Sequence, residues 1–455
     1  MENVNFVPCV CFVKRGVAKS NPDKVQLSKE ELAEIINKAK QEINDHESDS
    51  EHSGDEMVTD DNKVANDDDT AMLDDEYKLN EYDKDEELPS SVLGIGSIAL
   101  IGDEETESYF SRRDRDGDHE DSDSEAEDDI IKADDNLVLV GHVEGDASIL
   151  EVYIYNENEG SLYVHHDLLL PTFPLCIEWL DYDPSNPKPG NLCAIGTMDP
   201  VIEIWDLDII DCLEPAFKLG SKKKKYGHKD AVLDIAWNKN YHHILASGSA
   251  DKTVMLWDLD SGQVHTTFSN ASDKVQTLSW HSLEHQTLLV GSCDGYARVY
   301  DCRQTDGVHK SWKVSGEIEK VDWDAHNPFC FGVSTSDGEV HYIDCRVENA
   351  VWKIKAHDKE VTGLSISKYC PGLMITASSD NIVKTWDTKN GVPQLVSEKD
   401  MKIGDIQGMA VCPENTFVIA CGGDNKSNNF GVWDLRVQEQ VQNTFGARDL
   451  IAVTN

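Results

Sequence analysis

The chain has 455 residues, with 86 Asp or Glu against 41 Lys or Arg and a formal net charge of -45. That balance repels nucleic acid and anionic lipid except at a local basic patch, and it favours basic protein partners. No run of 18 apolar residues occurs and residues 1–20 lack a secretory apolar core, so neither a membrane span nor a signal peptide is expected. The twelve cysteines show no CxxC or other zinc-type spacing. They read as small buried side chains in a reducing compartment, Cys302 and Cys345 among them.

Residues 5–18, NFVPCVCFVKRGVA, read as a strand running into a turn, and residues 1–20 are assigned to it. Pro22-Asp23 breaks the chain, and residues 21–44 are expected to hold a short helix. Ser28 and Glu31 form a capping box there. Leu32, Ile35, Ala39 and Ile43 share one face, which suits either docking or a surface helix. Residues 41–130 hold 34 Asp or Glu and six Lys or Arg, a net charge of -28. Such a stretch cannot bury enough apolar surface to offset chain entropy, so residues 45–130 are expected to be a disordered acidic insertion. Ser48, Ser50, Ser122 and Ser124 sit among carboxylates. Two readings fit them: targets of an acidic-directed kinase of the casein-kinase-2 type, or unmodified solvated residues. An apolar island at 88–103 contains GIGSIA, but no strand precedes it and carboxylates surround it, which excludes a dinucleotide site. The island reads as a docking motif, for this protein's own folded part or for a partner, with Tyr77 and Tyr82 as further anchors.

From Asp135 onward the pattern is all-β. Strand-closing pairs fall at Tyr155-Asn156, Trp205-Asp206, Trp257-Asp258, Tyr300-Asp301, Ile343-Asp344, Trp386-Asp387 and Trp433-Asp434, at spacings of 50, 52, 43, 43, 43 and 47 residues. A second series, Trp179, Trp237, Trp280, Trp323 and Ile366, steps by 43 from Trp237 onward. That period marks a four-stranded propeller blade, and seven units are counted over 131–450. The clearest, Gly227–Asp258, resembles a WD repeat. In such repeats the opening His, a strand Ser or Thr, the turn Asp and the Trp share a buried hydrogen-bond network. His228, Asp251, Trp257 and Asp258, then His357, Asp380 and Trp386, and Trp433 in the last unit, take those places. They read as structural residues rather than a catalytic set. Units without the full set, such as 272–301 and the one closed by Ile343, are expected to rest more on packing than on that network. The first unit lacks a first strand nearby, and FVPCVCFV at 6–13 is assigned to it, with Phe12 in the Trp position. QVQNTF at 440–445 is expected to be the last unit's fourth strand. The fold class is thus all-β, a seven-bladed WD40 β-propeller with a helix and an acidic disordered insertion near its N-terminus.

Lys222, Lys223, Lys224 and Lys225 form one basic block in a loop, read as a nuclear-import signal against the alternative of a plain solvated loop. Trp312 and Trp352 lie on outer strands, either as exposed hot spots or packed on a neighbouring blade. The Trp series, the N-terminal strand, the acidic insertion and the KKKK loop, with LYVHHDLLL and PVIEIWDLDIIDCLEP, resemble the periodic tryptophan protein 1 family. The resemblance implies a nuclear, nucleolar and chromatin-associated scaffold tied to rRNA transcription and large-subunit assembly. The acidic insertion is expected to bind basic proteins such as histones or ribosomal and pre-ribosomal proteins, with chromatin and pre-rRNA particles met indirectly. No catalytic, cofactor or metal site is expected: the adjacent pairs His165-His166 and His242-His243 point to opposite faces of a strand. The alternative is a substrate receptor of a cullin-4 ubiquitin ligase, docking through Trp433, Asp434 and Arg436 of a WDxR motif.

Overall fold

Repeated short apolar runs, each bounded by a turn, become seven antiparallel sheets in a computed structural model that describes residues 4–25, 130–186, 188–222, 226–304 and 308–451. Blade three shows the pattern: Val232–Trp237, Ile244–Ser249, Val254–Asp258 and Gln263–Phe268 pair in chain order. Blade four (Val275–Trp280 to Val308–Lys313), blade five (Ile318–Trp323 to Trp352–Lys355) and blade six (Gly363–Ile366 to Gln394–Asp400) repeat it. Blade two runs from Pro174–Leu180 to Phe217–Leu219. The second strands, ILASGS and TLLVGS among them, are buried on both faces because neighbouring blades cover them. The turn after the second strand demands a left-handed residue. Lys252, Gly295, Gly338 and Asn381 occupy it at φ of 69, 76, 77 and 73°.

Blade one is discontinuous in sequence. Asn5–Phe12 is its innermost strand and pairs with Asn136–Glu144, which continues to Ala147–Asn156 and Ser161–Leu170. The same N-terminal strand closes the ring against blade seven. Val7 and Phe12 join Val138, Val140, Cys412, Val418 and Ala420 in one buried cluster. Val7 N–H donates to Gly423 O at 2.8 Å, and Arg15 N–H to Glu414 Oε1 at 2.9 Å. Gly422 permits this seam, since a Cβ there would lie 2.6 Å from the Val7 carbonyl oxygen.

Asp23–Lys24, at the chain break before the expected helix, pair in parallel with Ile209–Ile210 beside blade two. The helical face of Leu32 to Ile43, the insertion, Tyr77, Tyr82 and the island lie outside the described residues. Blade seven has only three strands, Gly408–Val411, Val418–Gly422 and Phe430–Asp434. QVQNTF is not a fourth strand: α1, Glu439–Phe445, is a helix. It buries Val441 and Phe445 against Cys370, Leu373, Phe417 and Leu435, between blades six and seven. Val441 and Phe445 are four apart, so one helical turn places both on that apolar wall.

Candidate interaction surfaces

In blade three the Trp257 indole N–H donates to Ser247 Oγ at 2.8 Å. Ser247 Oγ lies 2.7 Å from His228 Nε2, and His228 Nδ1 lies 3.1 Å from Asp251 Oδ2. Because the indole uses an acceptor site on Ser247, the hydroxyl hydrogen can go to Nε2, and Nδ1–H then goes to Asp251. Burial opposes charge on Asp251, but the bonds from His228, Thr253 and the Lys229 N–H hold its carboxyl well below the usual range. Blade six repeats the chain: Trp386 donates to Thr376 Oγ1 at 2.9 Å, Thr376 meets His357 at 2.8 Å, and His357 meets Asp380 at 3.0 Å. Blade seven departs from it. Cys421 holds the register position of Ser247 and Thr376, and the buried Trp433 Nε1 has no acceptor. Lys399 lies over the Trp433 ring instead.

The units without the opening His do not rest on packing alone. In blade four the turn carboxylate Asp294 is gripped by Arg298, Nη1 to Oδ1 at 3.0 Å and Nη2 to Oδ2 at 2.6 Å, and by the Ser272 N–H at 2.9 Å. In blade five Ser315 donates to Glu339 at 2.6 Å, and His341 Nε2 lies 3.1 Å from the same oxygen, Oε2. This is no catalytic triad, because one imidazole nitrogen faces both partners while a triad histidine bridges with two. Neither set places a His at the opening register position, so the repeat pattern in the sequence does not reveal them.

Two members of the first-strand Trp series tie blades together, while Trp179 and Trp237 donate to Asn191 and His242 within their own blades. Trp280 donates to Ala236 O at 3.0 Å and Trp323 to Ser279 O at 3.1 Å, each reaching the preceding blade. Inner-strand carboxylates do the same toward the following blade. The Leu278 N–H donates to Asp234 at 2.7 Å, Ile366 N–H to Asp322 at 2.8 Å and Trp237 N–H to Glu178 at 3.3 Å. Burial raises Glu178 to about 7 and Asp322 to about 6. Perturbed carboxylates often mark catalysis, but these are spent on backbone amides between blades.

The closing Asp residues sit at the opposite end of each third strand. Asp434 is gripped by Arg436, Nε to Oδ1 at 3.0 Å and Nη2 to Oδ2 at 2.7 Å. Arg436 also binds Glu157 of blade one, across the ring seam. Arg303 on Asp301 and Arg346 on Asp344 repeat the local fork, each with an Nη2 to Oδ2 distance of 2.6 Å. Lys222 pairs with Asp199 at 2.7 Å, while Lys223, Lys224 and Lys225 lie outside the described residues, as do Ser48, Ser50, Ser122 and Ser124. Trp312 is 4% exposed and donates to Val347 O of the next blade at 2.9 Å. Trp352 stacks on Tyr342, with ring centroids 5.0 Å apart. Neither is a free hot spot. All twelve thiols are unpaired, and among the described residues no cluster suits a metal ion.

The family model described as "WD domain, G-beta repeat" matches residues 220–258 and 348–387. A periodic tryptophan protein 1 homolog from Drosophila melanogaster is 42% identical over 98% of both chains. The chain belongs to the periodic tryptophan protein 1 family. The family's Saccharomyces cerevisiae member is 33% identical over 95% of this chain and 88% of its own. A "ribosome biogenesis protein WDR12 homolog" from Oryza sativa subsp. japonica is 33% identical over 19% of this chain and 18% of its own. The two repeats that match the generic WD model are blades three and six. These two keep the His, hydroxyl, Asp and Trp chain, so the match follows the hydrogen-bond network. Blade four instead serves its turn carboxylate Asp294 with Arg298.

Proposed function

We propose that this chain is a non-catalytic scaffold of ribosome production, located in the nucleus and nucleolus and associated with chromatin. Its partners are basic proteins, of the histone or the ribosomal and pre-ribosomal kind. The observation that carries the reading is the contrast between the two parts of the chain. Carboxylates of the ring such as Asp234, Asp322 and Asp294 hold its own backbone amides and turns, leaving a rigid frame with open faces. The segment 41–130 carries a net charge of -28 and no fold-building pattern. Such a segment raises encounter rates with basic proteins by long-range attraction, which salt screens. Membership of the family and the local likeness to a ribosome-biogenesis protein support the process named.

The test is crosslinking mass spectrometry on the nucleolar fraction, with the intact chain and with residues 45–130 deleted. Crosslinks to basic proteins should fall severalfold in the deletion and weaken with salt. Equal crosslinking would remove the acidic segment as the binding element. The cullin-4 reading is tested by Arg436→Ala. Its fork on Asp434 is partly exposed, so the change should cost less than about 1 kcal/mol. Loss of a ligase adaptor on affinity purification, with the melting temperature kept, would favour that reading; an unchanged yield would remove it.

A further inference from the structure

Blade six carries an arginine from elsewhere in the chain on its closing Asp. Arg448 Nη2 donates to Asp387 Oδ2 at 2.6 Å, and Nη1 donates to Pro371 O at 2.9 Å. Helix α1 delivers it: Phe445 fills the groove between blades six and seven, and Arg448 follows three residues later. The walls of that groove include Cys370 and Leu373 from blade six, and Phe417 and Leu435 from blade seven.

Three repeats earlier the register returns the same groove between blades three and four. Ile244 pairs with Asp258 as Leu373 pairs with Asp387, and Thr287 pairs with Asp301 as Val418 pairs with Asp434. Tyr241 and Ile244 therefore stand for Cys370 and Leu373, and Gln286 and Cys302 for Phe417 and Leu435. All four line an open groove of about 360 Å³ that also reaches Asp258. Asp258 Oδ1 accepts the Asp260 N–H at 3.1 Å, as Asp387 Oδ1 accepts the Lys389 N–H at 3.1 Å. The other oxygen differs. Where Asp387 Oδ2 holds Arg448, Asp258 Oδ2 holds the Ser261 hydroxyl at 2.8 Å, and no described cation pairs with it.

We infer that the groove between blades three and four docks a segment of a basic partner protein: a large apolar side chain that fills it, followed three residues on by an Arg that binds Asp258. The chain's own C-terminal helix is the template for the fit. Charge supports the sign. Asp260 and Glu284, each within two residues of a lining position, are exposed, and Arg303 in the groove is already neutralised by Asp301. A guanidinium on Asp258 Oδ2 gains a charge-assisted hydrogen bond that a serine hydroxyl does not match. The walls differ in residue type, with the polar Gln286 in place of Phe417, and one further substitution bears on the arginine. His243 stands at the position of Gly372, where a side chain would come 3.1 Å from Arg448 Nη1. The His243 side chain is exposed and has room to turn outward. The partner's basic class rests on the scaffold reading above, whereas the groove and its anchor pattern rest on the register alone.

The test is selection of a random twelve-residue peptide library on the intact chain, followed by titration of the enriched peptides against two variants. Asp258→Asn keeps the turn acceptor and removes the charge, and Gln286→Trp fills the groove. Enriched peptides should carry an aromatic or large aliphatic residue with Arg three places later. Each variant should weaken them about tenfold or more, while its melting curve stays that of the intact chain. A selection that yields no binder, or binders indifferent to both changes, overturns the proposal. Deleting residues 45–130 should leave peptide binding intact, so failure of the acidic-segment reading and failure of the groove are told apart.

Discussion

A chain lacking residues 1–13 will lose its cooperative thermal transition. Those residues supply the innermost strand of blade one and the seam with blade seven together. Val7, Phe12 and Val13 are 1%, 6% and 1% exposed. Burying three such side chains contributes roughly 5–9 kcal/mol, against a net stability of about 5–15 kcal/mol for a folded protein. The deletion also strips the ladder partners of Asn136–Glu144, leaving an open strand edge that templates aggregation, and uncovers apolar surface of blade seven at the seam. Circular dichroism melting and calorimetry should show a broad, low-temperature transition with aggregation. A synthetic peptide of residues 4–18 added in trans should sharpen that transition, because a strand docks largely through its backbone. A truncated chain that melts like the intact one would show that blade one is complete without this strand.

The repeat register was legible because similar blades place a closing aromatic or aliphatic residue at a steady spacing, 43 positions from Trp257 to Trp386, and such a period survives substitution of single residues. The joining of residues 6–13 to a blade more than a hundred residues away was legible only through the counting of strands. The fourth strand of blade seven was misread for a specific reason. In QVQNTF, Val441 and Phe445 are four apart, which satisfies both two strand alternations and one helical turn. The groove between blades six and seven decides between them, since its apolar walls face one side of a helix. Expecting a strand also hid the role of Arg448, and with it the likeness between that groove and the one beside Asp258. The site-like features that sequence could not place are tertiary. Trp280 and Trp323 step by 43, but that each indole reaches back one blade shows only when the blades stand side by side.

Arg298→Met should destabilise blade four by about 3–5 kcal/mol, as expected when one partner of a buried ion pair is removed. Arg298 and Asp294 have side chains 9% and 6% exposed, and the pair carries the turn that His228 and Asp251 carry in blade three. Burial works against the Asp294 charge, but the Arg298 fork and the Ser272 N–H hold its carboxyl at about 2. A carboxyl lowered on folding stabilises above its unfolded pKa of about 3.9, and that contribution is lost as pH falls from there through the folded value. In Arg298→Met the same carboxyl is left buried without its cation. Burial then raises it, and protonation relieves the strain rather than causing it. The gap in unfolding free energy between intact chain and variant should therefore be widest at pH 7 and shrink toward pH 3. Adding Asp294→Asn to the variant should recover most of the loss, because the amide oxygen still caps the turn at the Tyr296 N–H, which lies 3.0 Å from the carboxylate. Denaturant titrations of the three proteins at both pH values measure this. A loss below about 1 kcal/mol at pH 7, the scale of an exposed ion pair, would return blade four to packing alone.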